Sequence, residues 1–205
     1  MSIFWSLKPH RPLPSMSGYS ASPLLINTLI SSIEEQKPKV TLELGSGVST
    51  LIAAYCFSKN ASGKIISLDH KREYADYTMS LIEKHELGKF VNVMHSPLTN
   101  SVIGGEEWLW YNIEDIENRL GDLKIDLVII DGPPYNTQPL ARYPALPILF
   151  PYLNDNAVII LDDASRSDEQ EIAQRWLDEF PEQFCKEYID GDRGTLILRR
   201  KPRAV

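Results

Sequence analysis

The sequence predicts an α/β fold: a doubly wound, mainly parallel sheet of about seven strands, with one antiparallel strand near the C-terminus. Three observations carry this. Short apolar runs (KVTLEL, KIISLD, IDLVIID) alternate with segments of helical periodicity, and strands covered on both faces read as continuous apolar runs. Several runs end on a carboxylate, a pattern that random strand ends would not usually show. The last two runs are joined only by Asp190-Gly191-Asp192-Arg193-Gly194, too short for a crossover helix, so that pair is antiparallel.

The elements follow in order. Residues 1–23 hold Phe4, Trp5, Pro9, Pro12, Pro14, Gly18, Tyr19 and Pro23 and read as an irregular arm that packs over the body as a flap. Residues 24–205 form the domain. Leu25, Ile26, Leu29, Ile30 and Ile33 share a helical face, with Ser22 as cap and Pro23 at the first helical position. A strand at Lys39–Leu44, a helix at Val48–Ser58, a strand at Lys64–Asp69 and a helix at Arg72–Leu87 follow, the last capped by Gly88. Phe90–His95 reads as a strand and Ser96–Asn112 as a long irregular loop, of the kind that is often functional. Then come a helix at Ile113–Leu120, a strand at Ile125–Asp131, and partial helix over Gln138–Tyr152, where Pro144 and Pro147 bend or shorten it. A strand at Ala157–Asp162, a helix at Asp168–Glu179 and strands at Gln183–Ile189 and Thr195–Arg199 complete the pattern.

Bulk properties narrow the class. A chain of 205 residues, 43% hydrophobic and 24% charged, suits one globular domain. The net charge of -7 repels phosphate backbones, so nucleic acid is a poor partner. The basic end Arg199, Arg200, Lys201, Arg203 reads as a solvated terminus. Cys56 and Cys185 stand far apart in apolar segments and are expected to be buried free thiols. No secretory leader or membrane-spanning run is evident, which gives the expectation of a cytoplasmic protein with no membrane partner.

In an open parallel sheet, ligands bind beyond the carboxyl ends of the strands. Those ends carry Glu43-Leu44-Gly45-Ser46-Gly47, Asp69-His70, Ser96-Pro97, Asp131-Gly132-Pro133-Pro134 and Asp162-Asp163. Gly45 and Gly47 permit a sharp turn into a helix whose free N–H groups favour an electronegative group. The carboxylate of Glu43 disfavours a pyrophosphate there and favours a cation or amine. Asp69, 26 positions after Glu43, is placed to accept from both ribose hydroxyls of a nucleoside. Read singly, it could equally cap the next helix.

Together, Glu43-x-Gly45-x-Gly47, Asp69 and the Ile125–Asp131 strand resemble the class I S-adenosylmethionine-dependent methyltransferases over about residues 24–199. The resemblance implies that Gly45, Ser46 and Gly47 hold the methionine part of the cofactor, with Glu43 beside them. It implies that Asp69 holds the ribose, with His70 on the same side, and that Ser96 and Pro97 lie near the adenine. The strings ELGSGVST, DGPP, RYPALP and LDDASR together are similar to a bacterial subgroup associated with O-methylation of sugars or small molecules. A small-molecule acceptor is therefore the expected partner; the oligomeric state is open.

Asp131, Asp162 and Asp163 are expected at adjacent strand ends. Converging carboxylates repel unless a cation or proton joins them, and hard oxygen ligands suit Mg²⁺ or another divalent ion. The catechol-type O-methyltransferases place a metal on such residues. Asp131 and Asp162 match two of their ligands, Asp163 stands where they carry Asn, and Pro134 stands where they carry a catalytic Lys. Asp131 is the candidate catalytic base, or else a metal there would acidify the acceptor. Trp108, Trp110 and Tyr111 either wall an acceptor pocket or pin a loop. Tyr19 and Ser20 could cover the cofactor, and Arg142 and Tyr143 could bind the acceptor. Two rival classes share the architecture. A nicotinamide-dependent oxidoreductase would show G-x-G-x-x-G, but position 50 is Thr. A non-catalytic cofactor-binding module would bind without turnover.

Overall fold

The computed structural model describes residues 7–14 and 21–202. Helix α1 (Pro23–Gln36) starts as its sequence suggests: the Ser22 hydroxyl accepts from Leu25 N, and Pro23 occupies the first turn. Strands β1 (Val40–Leu44), β2 (Lys64–Asp69) and β3 (Val91–His95) alternate with helices α2 (Val48–Asn60) and α3 (Arg72–Lys84). Helix α3 ends earlier than Gly88, because Glu86 takes the left-handed conformation (φ 56°) and turns the chain first.

After β3 the expected irregular loop is instead a hairpin, β4 (Leu98–Ile103) and β5 (Glu106–Tyr111). Gly104 and Gly105 form its two-residue turn with positive φ at both positions, the geometry that matches strand twist. Helix α4 (Ile113–Leu120) and strand β6 (Ile125–Ile130) come next. The stretch after β6 yields the short helix α5 (Ala145–Leu149), which Pro144 opens, and a single 3-10 turn over Phe150–Tyr152. Strand β7 (Leu153–Asp162), helix α6 (Ser167–Glu179) and strands β8 (Phe184–Ile189) and β9 (Thr195–Arg200) close the chain.

The seven-stranded sheet has the order β3-β2-β1-β6-β7-β9-β8, all parallel except β9. Winding runs outward from β1 through β2 to β3, then returns to β6 on the other side of β1. The topological switch point therefore falls between β1 and β6, where such sheets open a crevice. One core cluster holds Leu42, Leu44, Trp110, Val128 and Trp176; the other holds Leu29, Ile33, Ile52, Leu127 and Ile160. The alternation of Leu127 and Val128 between clusters is the period of two expected of a strand covered on both faces.

Trp108, Trp110 and Tyr111 are all buried in the first cluster, so they pin the hairpin to the sheet rather than wall an open pocket. Cys56 is buried, but Cys185 is exposed, because its strand β8 is the sheet edge. In the described part of the arm, Leu7 is buried, His10 packs beside Tyr55 and His85, and Arg11 pairs with Glu86. Tyr19 and Ser20 lie outside the described residues. No helix among the described residues is long and apolar enough to cross a membrane.

Candidate active site

The carboxyl ends of β1 and β6 meet at a glycine contact. Gly45 has φ 98°, and a Cβ there would stand 3.2 Å from the backbone of Asp131 and Gly132. A Cβ on Gly132 would collide with the Tyr111 hydroxyl. Both glycines are thus required for the two strand ends to touch. Above Gly47 the space is open: a Cβ there would meet nothing within 4 Å.

The turn is fastened from below. Gly47 N donates to Thr50 Oγ1 (3.0 Å), and Thr50 Oγ1 donates to Glu43 Oε2 (2.5 Å). Ser67 Oγ on β2 donates to the same oxygen (2.6 Å). Thr50, at the position of the third glycine in a dinucleotide fingerprint, is here a bracing hydroxyl. Glu43 is fully buried beneath the turn, and its Oε1 has no donor among the described residues. Burial pushes its carboxyl up to about 7, against the nearby hydroxyls of Ser49, Ser67 and Thr50, while the charge of Asp69 adds to the rise.

That shift has a sign. Between the unfolded value of 4.5 and about 7, the unfolded chain ionises Glu43 while the folded chain keeps its proton. The stability tied to this proton is complete below 4.5 and is lost as pH rises through 7. Glu43→Gln keeps an acceptor but has no proton to lose. Its stability relative to the unsubstituted chain is expected to rise from pH 5 to pH 8, by on the order of 3 kcal/mol at most. Urea denaturation at the two pH values measures it; a constant difference would refute the assignment.

Asp69 ends β2. Its Oδ2 accepts from Ser46 N (3.1 Å) and Ser46 Oγ (3.0 Å), and its Oδ1 accepts from Lys71 N (3.0 Å). The glycine turn is thereby tied to the second strand, and Oδ1 keeps spare acceptor capacity. His70 lies beside it, Nδ1 to Asp69 Oδ1 at 3.5 Å, and burial lowers its pKa against the pull of Asp69. Ser96 is buried, with its N–H on the Asp69 carbonyl and its hydroxyl on Asp115; Pro97 is exposed. The structure thus groups Gly45, Ser46, Gly47, Asp69, His70 and Ser96 around one rim.

On the other side of the switch point, Asp131, Asp162 and Asp163 converge, with one oxygen of each within 4.8 Å of the others. What joins them is a residue that strand patterning does not reveal. Arg142 is neither on a helix surface nor free to bind an acceptor: it is 3% exposed and points into the cluster. Its Nη2 donates to Asp131 Oδ1 (3.2 Å), Asp131 O (2.8 Å) and Asp163 Oδ2 (3.1 Å), and its Nη1 donates to Asp162 O (2.9 Å). Glu169 Oε1 on α6 adds a fourth carboxylate, 3.5 Å from Nη1. Arg166, part-exposed, pairs with Asp163 at 2.9 Å. A divalent ion would have to share these oxygens with a guanidinium already bonded to two of the three carboxylates. The residues present, with Arg142 in place, do not fit one. The legible signal was RYPALP itself, an Arg between two strand ends crowded with acid.

Burial pushes the Asp131 carboxyl up to about 7; Arg142 opposes the rise, while Asp162, Asp163 and Glu43 add to it. Burial also raises Asp162 and Glu169. Asp131 keeps 21% of its side chain exposed, so this raised carboxyl is also one that a ligand can reach. Tyr135 borders this opening, with the Arg166 guanidinium over its ring at 4.9 Å. Tyr143 is spent elsewhere, donating to Glu179 (2.5 Å). Cavities of about 250 and 460 Å³ lie beside Phe150 and Arg200, toward the amino ends of β6 and β7, and neither is lined by Asp131, Asp162, Asp163 or Arg142.

A sheet of this order with a glycine turn and acid residues at its switch point defines a class I methyltransferase-like fold. Residues 42–164 match the family model described as a methyltransferase domain, and the chain belongs to that family. No curated protein matches the sequence. Among solved structures, an O-methyltransferase from Bacillus cereus in complex with S-adenosylhomocysteine superimposes with a TM-score of 0.67 at 17% identity, over 91% of this chain and 84% of that one. The S-adenosylhomocysteine-bound methyltransferase PaMTH1 of Podospora anserina gives 0.68 at 15% identity, over 97% and 86%. The O-methyltransferase TomG of Streptomyces achromogenes, in complex with S-adenosylmethionine, gives 0.66 at 13% identity, over 92% and 83%. At these identities the likeness is one of fold.

Proposed function

We propose that this methyltransferase uses S-adenosylmethionine to methylate a hydroxyl of a small molecule, a sugar included, with Asp131 as general base. The observation that carries the reading is Asp131 itself: a part-exposed carboxyl shifted to about 7, at the strand end that touches the Gly45 turn. The cofactor supplies a methyl group on a sulfonium, already a strong electrophile. What the chain must add is alignment and removal of one proton.

The chain's own groups suit both tasks. Open space above Gly47 admits a ligand against the backbone, and Asp69 Oδ1 has capacity for ribose hydroxyls. Glu43 lies buried beneath the turn with a partnerless Oε1, and an ammonium group bound on the turn would favour its ionised form. Asp131 takes the acceptor's proton as the hydroxyl attacks; near 7, it is ionised often enough and still basic enough. The Bacillus cereus and Streptomyces achromogenes proteins are O-methyltransferases, which favours an oxygen acceptor here. The net charge of -7 favours a small acceptor over nucleic acid.

Calorimetric titration with S-adenosylhomocysteine tests the cofactor; micromolar binding is expected. Transfer of labelled methyl from S-adenosylmethionine to a panel of hydroxylated small molecules tests the chemistry. Absence of binding would overturn the reading. Binding with no transfer to any acceptor would move the chain to the non-catalytic class.

A further inference from the structure

Four carboxylates surround one buried guanidinium. Arg142 reaches from the segment between β6 and α5 to the ends of both β6 and β7, bonding a backbone carbonyl at each: Asp131 O at 2.8 Å and Asp162 O at 2.9 Å. The same fork holds Asp131 Oδ1 and Asp163 Oδ2 and lies beside Glu169. A guanidinium buried to this depth persists only because it is paired on several sides. Two further arginines, Arg166 at 2.9 Å and Arg193 at 3.9 Å, stand on the outer side of Asp163.

We propose that Arg142 is the fixed cation of this site, standing where a divalent metal would otherwise join Asp131, Asp162 and Asp163, so that methyl transfer proceeds without metal. This rests on the reading of Asp131 as base. Arg142 is then a positioning residue: its Nη2 grips both the carbonyl and the carboxylate of Asp131 and so sets the direction of Oδ1. A guanidinium has donors only and no open coordination position, so it cannot hold an acceptor as a metal does. An acceptor for this site needs one hydroxyl, not an adjacent pair able to chelate.

The balance is simple. The bond from sulfur to methyl carbon breaks as the bond from acceptor oxygen to that carbon forms. The sulfur keeps the electron pair of the broken bond, and the hydroxyl proton passes to Asp131.

The test is titration of the full chain with Mn²⁺, read by the loss of the free-ion electron paramagnetic resonance signal. The unsubstituted protein is expected to bind no stoichiometric Mn²⁺ up to 1 mM, on the order of the weakest sites known for dedicated cation binding, and to lose no methyl-transfer rate in EDTA. Arg142→Ala vacates the site and is expected to gain Mn²⁺ binding at least about tenfold tighter, a difference of about 1.4 kcal/mol, which Asp162→Asn in the same background abolishes. Stoichiometric Mn²⁺ on the unsubstituted protein, or a folded Arg142→Ala that gains none, would overturn the proposal. If Arg142→Ala does not fold, the titration of the unsubstituted protein decides. Arg142→Lys reports on positioning: the acid limb of the pH–rate profile is expected to move up by about one pH unit as Asp131 loses its forked partner. An unmoved limb would refute that role. The Mn²⁺ arms need no turnover, so they remain readable even if S-adenosylhomocysteine fails to bind and the methyltransferase reading falls.

Discussion

Asp131→Asn lowers kcat by about 10²–10⁴-fold, the range that loss of a general base brings, while S-adenosylhomocysteine binds within a few-fold of its original affinity. Asn keeps the shape and an oxygen for Arg142 Nη2, so the contact that now spans 3.2 Å has an acceptor still. What it loses is the ability to take a proton. The pH profile gives the same residue a second signature. A base at Asp131 must be ionised to act, and burial pushes its carboxyl up to about 7, so kcat/KM of the unsubstituted enzyme is expected to rise with pH through about 7 and then level. Asp131→Asn has no such limb. A profile flat from pH 5.5 to 8.5, or a variant with nearly full turnover, would exclude Asp131 as base. Circular dichroism and S-adenosylhomocysteine affinity separate a catalytic loss from an unfolded variant.

Much of this site was legible as strand ends. KIISLD and IDLVIID run apolar to a carboxylate and KVTLEL carries one in its last two residues, and a parallel sheet must bring its carboxyl ends to one rim. The convergence of Asp131, Asp162 and Asp163 follows from strand adjacency alone. What patterning could not show is where a long side chain from a non-helical segment goes. Arg142 lies in a turn, without the periodicity that assigns a face, so its depth depends on the path from Asp131 to Ala145. Glu169, in the first turn of α6, carries no mark in the sequence that separates it from a solvated acid, yet it is 2% exposed. The hairpin was legible in principle: Gly104-Gly105 between VI and EEWLWY is a two-residue turn signal. Its first strand is hard to see in sequence because β4 has little apolar character and half of its residues face solvent.

Asp69→Ala weakens S-adenosylhomocysteine binding by about 10²–10⁴-fold. Two hydroxyl-to-carboxylate hydrogen bonds contribute roughly 1.5–3 kcal/mol each, and a tenfold loss corresponds to about 1.4 kcal/mol. In the free protein the same carboxylate also receives Ser46 N and Ser46 Oγ, so part of the loss could come from a loosened glycine turn. Ser46→Ala separates the two: it removes one of these bonds and leaves the carboxylate, and a loss of only a few-fold is expected. The sharper discriminator is the ligand. Adenosine and 2′-deoxyadenosine differ by one of the hydroxyls that Asp69 would accept, so the unsubstituted protein should prefer adenosine by about tenfold or more, and Asp69→Ala should not distinguish them. If the preference survives the substitution, the ribose is held by another group. Asp69 would then be a brace between β2 and the turn, as Glu43 is between the turn and β1, and the acid at the second strand end would serve the shape of the site rather than its ligand.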